Sequence, residues 1–468
     1  MREAPSSSAT SAYPPARTDR PQRTSGDAMR HILCLATGAS ALLALPRPLH
    51  TRRRTTTTRA TAITDEDPPP RSVAGTAALI TGGAVGGGFL AVPRATRGLG
   101  LGPTAFALVS AWAWLGLCGV ALAEGAVRST EAAHDRDDYV DDEGLSVYGV
   151  ALEATRHRRR KRVILPLSVM CFCLATFSSL GAQFAKSREL LGSVGTLLNG
   201  VPAVTGIALT AYAAAFAFGD RIAHRIAYAC TGTMAASFLF LVGRVAALPK
   251  VAATAPTSWR ALLPSPGTPW AAAVVVQILC FGDVVGVAAA RHEATPRRVP
   301  RALILGTVVP LAMALALALA SSNLPGADPL SPLLKRGGMD AFTLRLFAAS
   351  AVATTVIGLL LAASQLLSDV VCGFVGWCSE RDRRIVRALA TALPAVGSLG
   401  GDDAFYELLA FAGAVPVPLL YCVLPPFLLS SLRRRKVGRT TLLPGGAVIL
   451  NALKLAGVAF VGTNVLVR

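Results

Sequence analysis

Charge is scarce in this sequence and unevenly spread. Only 16% of its 468 residues are Asp, Glu, Lys or Arg, where a soluble domain carries nearer a quarter (~25%). The charges gather in short clusters. Between them run apolar stretches of the length, roughly 20 residues, that crosses the ~30 Å hydrocarbon core of a bilayer as a helix. Hydrophobic residues make up 52% of the chain and the mean hydropathy is +0.50. A single soluble domain is excluded.

Metal-binding patterns are missing as well. The nine cysteines include no CxxC pair. Cys118, Cys171, Cys173, Cys230, Cys280, Cys372 and Cys422 fall inside apolar runs, where a thiol behaves as a small hydrophobe. The six histidines lie in the N-terminal leader or in loops, never mid-span, which argues against most metal-dependent membrane enzymes. No disulfide framework, metal site or cofactor is expected. The formal charge of +19 does not point to nucleic acid, because the basic residues sit in the leader and in short loops, where they report topology.

Residues 1–70 differ in kind from the rest. They are rich in Arg (Arg17, Arg20, Arg23, Arg52, Arg53 and Arg54 among them), rich in Ser and Thr, and poor in acid; that is the composition of an organellar transit peptide. Met29-Arg30-His31 precedes the apolar stretch Ile32–Leu45, which has a signal peptide's charged start, apolar middle and small-residue end. Such a two-part leader resembles those of algae with secondary plastids. The expectation is a targeting leader over 1–70 and a transmembrane transporter domain over 71–468, multi-pass in a plastid membrane such as the inner envelope. The plasma membrane or an endomembrane is the alternative.

The apolar runs fall near 73–93, 103–127, 163–184, 198–218, 225–248, 268–290, 300–321, 343–375, 385–400, 404–431 and 443–466. They predict an all-α polytopic membrane protein with about 11 transmembrane helices, numbered here as spans one to eleven. The loops after the even-numbered spans hold the larger share of basic residues, including Arg158, Arg297, Arg298, Arg383, Arg384 and Arg433. Those loops and the mature N-terminus therefore share the cytoplasmic-equivalent side.

Span one carries Gly82-Gly83-Ala84-Val85-Gly86-Gly87-Gly88-Phe89-Leu90-Ala91-Val92-Pro93. Each glycine costs a helix interior about 1 kcal/mol against alanine, so this density predicts an interrupted helix rather than a packing motif alone. Non-helical backbone at membrane depth survives only against protein or a watery cavity. Its freed N–H groups and carbonyls can hold a carboxylate and a cation, the midplane arrangement of many secondary carriers. Span six offers Phe281-Gly282-Asp283-Val284-Val285-Gly286, two glycines and a mid-span carboxylate. An ionisable residue at that depth is a functional candidate.

Gly82-x-x-x-Gly86-x-Gly88-x-Leu90-x-x-Pro93 resembles the opening helix of the tryptophan/tyrosine permease family, the aromatic amino acid permeases of the amino acid–polyamine–organocation superfamily. The likeness continues through Glu124, through Phe281-Gly282, and through Leu346-Phe347-Ala348 and Ala353-Thr354-Thr355. It implies a leucine-transporter-like fold of two inverted five-helix repeats, with broken helices one and six, an eleventh helix, and a site between spans one, three, six and eight. The substrate-binding candidates are Gly82, Gly86, Gly87, Gly88, Phe281, Gly282 and Asp283. Asp283, Thr354 and Thr355 are the candidates for coupling to H+ or Na+. In span five, Thr231 stands where some proton-coupled relatives place a lysine. Asp283 and Val284 stand where the family has an aromatic residue and a histidine, a departure that bears on substrate choice.

The resulting expectation is an ion-coupled symporter of amino acids, aromatic ones (tyrosine and tryptophan) first. It is not an enzyme, and its partners are a small-molecule substrate and the lipid bilayer. A carrier of small neutral or cationic amino acids on the same fold is the alternative. A multi-spanning membrane enzyme or a channel is the reading of a different class.

Overall fold

The computed structural model describes residues 72–97, 99–136, 145–156, 161–192, 201–217, 220–247, 269–292, 295–322, 330, 333, 337–375, 379–401 and 403–466. The expected leader lies outside the described residues. Those residues form helices joined by turns, with no strand among them. Among the described residues, eight helices are long and apolar enough to cross a membrane, and nine if the bent pair of span one counts as a single span. The two other expected runs are helical but different in character. Residues Val201–Tyr212 form a short apolar helix that runs into a wide turn over Ala213–Ala217. Helix Glu380–Gly397 opens on Glu380, Arg381, Asp382, Arg383 and Arg384.

Span one breaks where the glycines predict. Ser72 caps its first half, Val73–Ala84, by accepting the Gly75 N–H at 3.0 Å, which satisfies a donor that the first turn otherwise leaves unpaired. Val85 (φ −84°, ψ 113°) and Gly86 (φ −144°, ψ −175°) then leave the helix for extended backbone. A 3-10 turn over Gly87–Ala91 leads into a second helix, Val92–Thr96. Pro93 lies in that helix's first turn, where a missing N–H costs nothing. The two halves meet at 51°.

Span six is interrupted in the same way. Helix Pro269–Ile278 gives way at Leu279–Phe281 to a 3-10 turn over Gly282–Val284, and helix Val285–Arg291 resumes. Span ten holds a break that the sequence reading did not anticipate. Helix Ala404–Ala414 ends at Val415, and a wide π turn over Pro418–Val423 precedes helix Leu424–Arg434. Pro416 and Pro418 have no N–H to return to the preceding turn, so the α-ladder cannot run through them.

Packing brings these breaks together. Span one lies on span seven, where Thr81 Oγ1 donates to the Gly306 carbonyl at 2.8 Å. A Cβ on Gly306 would come within 2.6 Å of Ile80 Cβ and 2.8 Å of the Ala77 carbonyl oxygen. Only glycine allows that approach. Span ten packs on spans three and six, and span eight on spans three and five. Phe89, Phe184, Phe347 and Phe405 are among the largest fully buried side chains.

The basic-loop side is tied by one buried acid. Glu124, at 0% exposure, accepts from Arg128 Nε at 2.9 Å and from Arg433 Nε and Nη2 at 2.7 and 2.6 Å. It also accepts the backbone N–H groups of Leu442 and Leu443, each at 3.0 Å. A buried charge needs this kind of full complement. Glu124 thereby joins span two to the end of span ten and the loop beyond it. On the other side, Arg244 of span five pairs with Asp340 at the start of span eight, Nε to Oδ1 2.7 Å.

Candidate functional site

The breaks of spans one, six and ten face one cavity, with spans three and eight completing its wall. It is lined from span one by Gly83, Ala84, Gly86, Gly88 and Phe89, and from span three by Ala175, Thr176, Ser179 and Gln183. Span six contributes Gln277, Ile278, Cys280 and Asp283; span eight, Thr355 and Leu359; span ten, Leu409, Val417 and Tyr421. Ala175, Ile278, Leu359, Leu409 and Val417 give an apolar wall, interrupted by a few placed polar groups. That is the usual make-up of a small-molecule site.

The cavity exists because the break in span one has room only for glycine at its tightest points. A Cβ on Gly87 would fall on Gln183 Oε1 and come 2.8 Å from Val352 Cγ2. A Cβ on Gly86 would fall on Thr355 Oγ1. Thr355 closes the gap by accepting the Gly87 N–H at 3.3 Å while donating to the Ala351 carbonyl at 2.8 Å. Gly88 is roomier: a Cβ there would sit 3.5 Å from Ile278 Cγ1 and 3.9 Å from Leu409 Cδ2.

Asp283 is the one charged residue lining the cavity among the described residues. The Tyr421 hydroxyl donates to its Oδ1. The two meet because the 3-10 turn of span six and the π turn of span ten face each other, and the Tyr421 ring covers the α-carbon of Gly282. On the side away from the basic loops, Arg94 of span one's second half pairs with Asp403 at 2.9 Å and stacks 4.0 Å over the Tyr406 ring. That contact ties the outer half of span one to the start of span ten.

Of the residues singled out in the sequence, Gly86, Gly88, Asp283 and Thr355 line the cavity, and Gly87 adjoins it through its bond to Thr355. The remaining four stand apart. Gly82 is nearest the Thr231 side chain, 3.9 Å from where a Cβ would lie. Phe281 is turned away and buried, its ring packed where a Cβ on Gly119 of span two would be. Gly282 lies beneath Tyr421. The Thr354 hydroxyl back-bonds to the Ala351 carbonyl at 2.9 Å, and its side chain is buried outside the cavity lining.

Sequence reasoning missed Tyr421, Gln183, Gln277 and Ser179. Two signals were present. Pro416-Val417-Pro418 marks a break in span ten. Thr176, Ser179 and Gln183 recur at helical spacing along an otherwise apolar span three, a polar stripe that has to face something other than lipid.

Comparison with known proteins agrees with this architecture. The chain matches the tryptophan/tyrosine permease family over residues 70–338 and 327–464. The "Tyrosine-specific transport system 2" of Haemophilus influenzae is 25% identical over 379 residues, covering 75% of this chain and 86% of the relative. Among solved structures, a manganese transporter of Eremococcus coleocola, in complex with an aromatic bis-isothiourea substituted compound, aligns with a TM-score of 0.53. It covers 84% of this chain and 86% of its own at 14% identity, and so speaks to the fold alone.

Proposed function

Because the chain belongs to the tryptophan/tyrosine permease family, we propose that it is an ion-coupled carrier of aromatic amino acids, with tyrosine or tryptophan as substrate. One observation carries this beyond the family: the breaks of spans one, six and ten meet on a cavity that holds, among the described residues, a single carboxylate and an apolar wall. In this reading the N–H groups of Gly86 and Gly88, on either side of the Gly87 N–H that Thr355 holds, take the substrate carboxylate. Asp283 takes the ammonium, and the ring lies among Ile278, Leu359, Leu409 and Val417. The full reading has eleven spans in two inverted repeats, and a plastid inner-envelope location supported by the composition of residues 1–70.

Coupling runs through Asp283 as a proton site, since mid-span carboxylates recur in proton relays. The alternative is a sodium ion beside the Thr355 hydroxyl. Asp283 also favours a second substrate reading, a carrier of cationic amino acids, because a lone acid suits a second positive group. The deciding experiment is uptake of labelled tyrosine, tryptophan, leucine and arginine into proteoliposomes holding the purified chain. Saturable tyrosine or tryptophan uptake is expected. Uptake of arginine alone transfers the assignment to the cationic carrier, and uptake of none of the four defeats both.

A further inference from the structure

Three of the four hydroxyls that line the cavity are already committed. Ser179 donates its proton to the Ala175 carbonyl at 2.7 Å, Thr355 donates to Ala351, and Tyr421 donates to Asp283. Among the buried side-chain atoms of the cavity lining, those without a partner are of one kind. The amide oxygens Gln183 Oε1 and Gln277 Oε1 are buried and accept nothing. A cavity with buried acceptors left over suits a ligand that brings hydrogen-bond donors.

The two glutamines differ in one respect. No hydrogen bond is recorded for the amide of Gln183, so rotation about its last bond can exchange its oxygen and nitrogen. Gln277 is oriented. Its Nε2 donates to Ser179 Oγ at 2.9 Å, and Ser179, its own proton spent on Ala175, can only accept. The amide of Gln277 must therefore present nitrogen to span three, which leaves its oxygen as a fixed acceptor on a residue that lines the cavity. Gln277 lies on the helix before the break of span six and Asp283 in the 3-10 turn beyond it; in the carrier reading Asp283 takes the amino group, which leaves the fixed acceptor to another part of the ligand.

We infer that Gln277, held by Ser179, is the specificity residue of the site: it reads a hydrogen-bond donor on the far end of an aromatic side chain. The donor is the hydroxyl of tyrosine or the indole N–H of tryptophan, and phenylalanine, which has neither, is disfavoured. This rests on the aromatic-carrier reading above. An acceptor built for a donor rejects the donorless analogue strongly, because the buried oxygen is then left unpaired.

The test uses counterflow of labelled tyrosine by the full chain in proteoliposomes, competed by 4-aminophenylalanine and 4-fluorophenylalanine. These have similar size, but only the amino compound donates. In the unmodified protein the amino compound is expected to compete at least about tenfold better, and that preference should collapse in Gln277→Met and shrink in Ser179→Ala. Equal competition by the two compounds in the unmodified protein overturns the inference, whatever the variants do. If Gln277→Met weakens tyrosine and phenylalanine equally, the residue holds the amino group common to both, which also overturns it. Absence of any aromatic uptake by the unmodified protein is separate, because it strikes the carrier reading first and this inference with it.

Discussion

Gly86→Ala is the perturbation for which the structure gives the clearest magnitude. Gly86 has φ −144° and ψ −175°, extended backbone that alanine adopts freely, so its effect is steric only. The new methyl would fall on Thr355 Oγ1, with Thr355 Cβ at 3.3 Å and Cγ2 at 3.4 Å. Thr355 can make room only by turning its hydroxyl away, which breaks both its bond to Ala351 and the one it accepts from Gly87. Two hydrogen bonds at about 1 kcal/mol each, with about 1 kcal/mol or more of overpacking, give a cost of roughly 2–4 kcal/mol. Gly88→Ala meets only ordinary contacts at 3.5 and 3.9 Å and should cost less than about 1 kcal/mol. The assay is thermal unfolding of both variants in detergent, with substrate counterflow in parallel. Gly86→Ala is expected to melt lower and transport poorly, and Thr355→Ala should recover part of the loss, since the two residues are in contact. Equal melting of the two glycine variants, or strict additivity in the double variant, would refute the described contact between spans one and eight.

Three further outcomes are expected. Glu124→Ala leaves Arg128 and Arg433 without their shared carboxylate and should cost about 3–5 kcal/mol, the usual penalty for breaking a buried pair; a denaturation midpoint matching the unmodified protein rejects the buried cluster. Asp283→Asn should still exchange substrate, more weakly, yet lose accumulation driven by a pH gradient. Undiminished pH-driven uptake removes Asp283 from coupling, and uptake driven by sodium alone moves coupling to Thr355. Residues 1–70 fused to a fluorescent protein should direct it to plastids in an algal or plant cell, and a diffuse cytosolic signal counts against that location.

The sequence by itself determined the class of the protein and the two main breaks. Apolar runs of bilayer length follow from local composition, since each span must satisfy its own backbone hydrogen bonds in lipid. The interruption at Gly86 and the one at Gly282 follow equally from residues within a turn of the break, because helix propensity acts over about four positions. Glu124 stood out in the sequence only as a point of family likeness, without its partners. Only the tertiary structure decided which groups share the cavity. Tyr421 meets Asp283 across 138 positions of chain, Gln277 meets Ser179 across 98, and Arg433 meets Glu124 across 309. Of the two adjacent threonines of span eight, the packing of that helix on the break chose Thr355 and buried Thr354 outside the lining. Two neighbours in sequence point about 100° apart on a helix, so which of them faces the site is set by how the helix is turned against its neighbours, a matter of side-chain packing between helices distant in the chain.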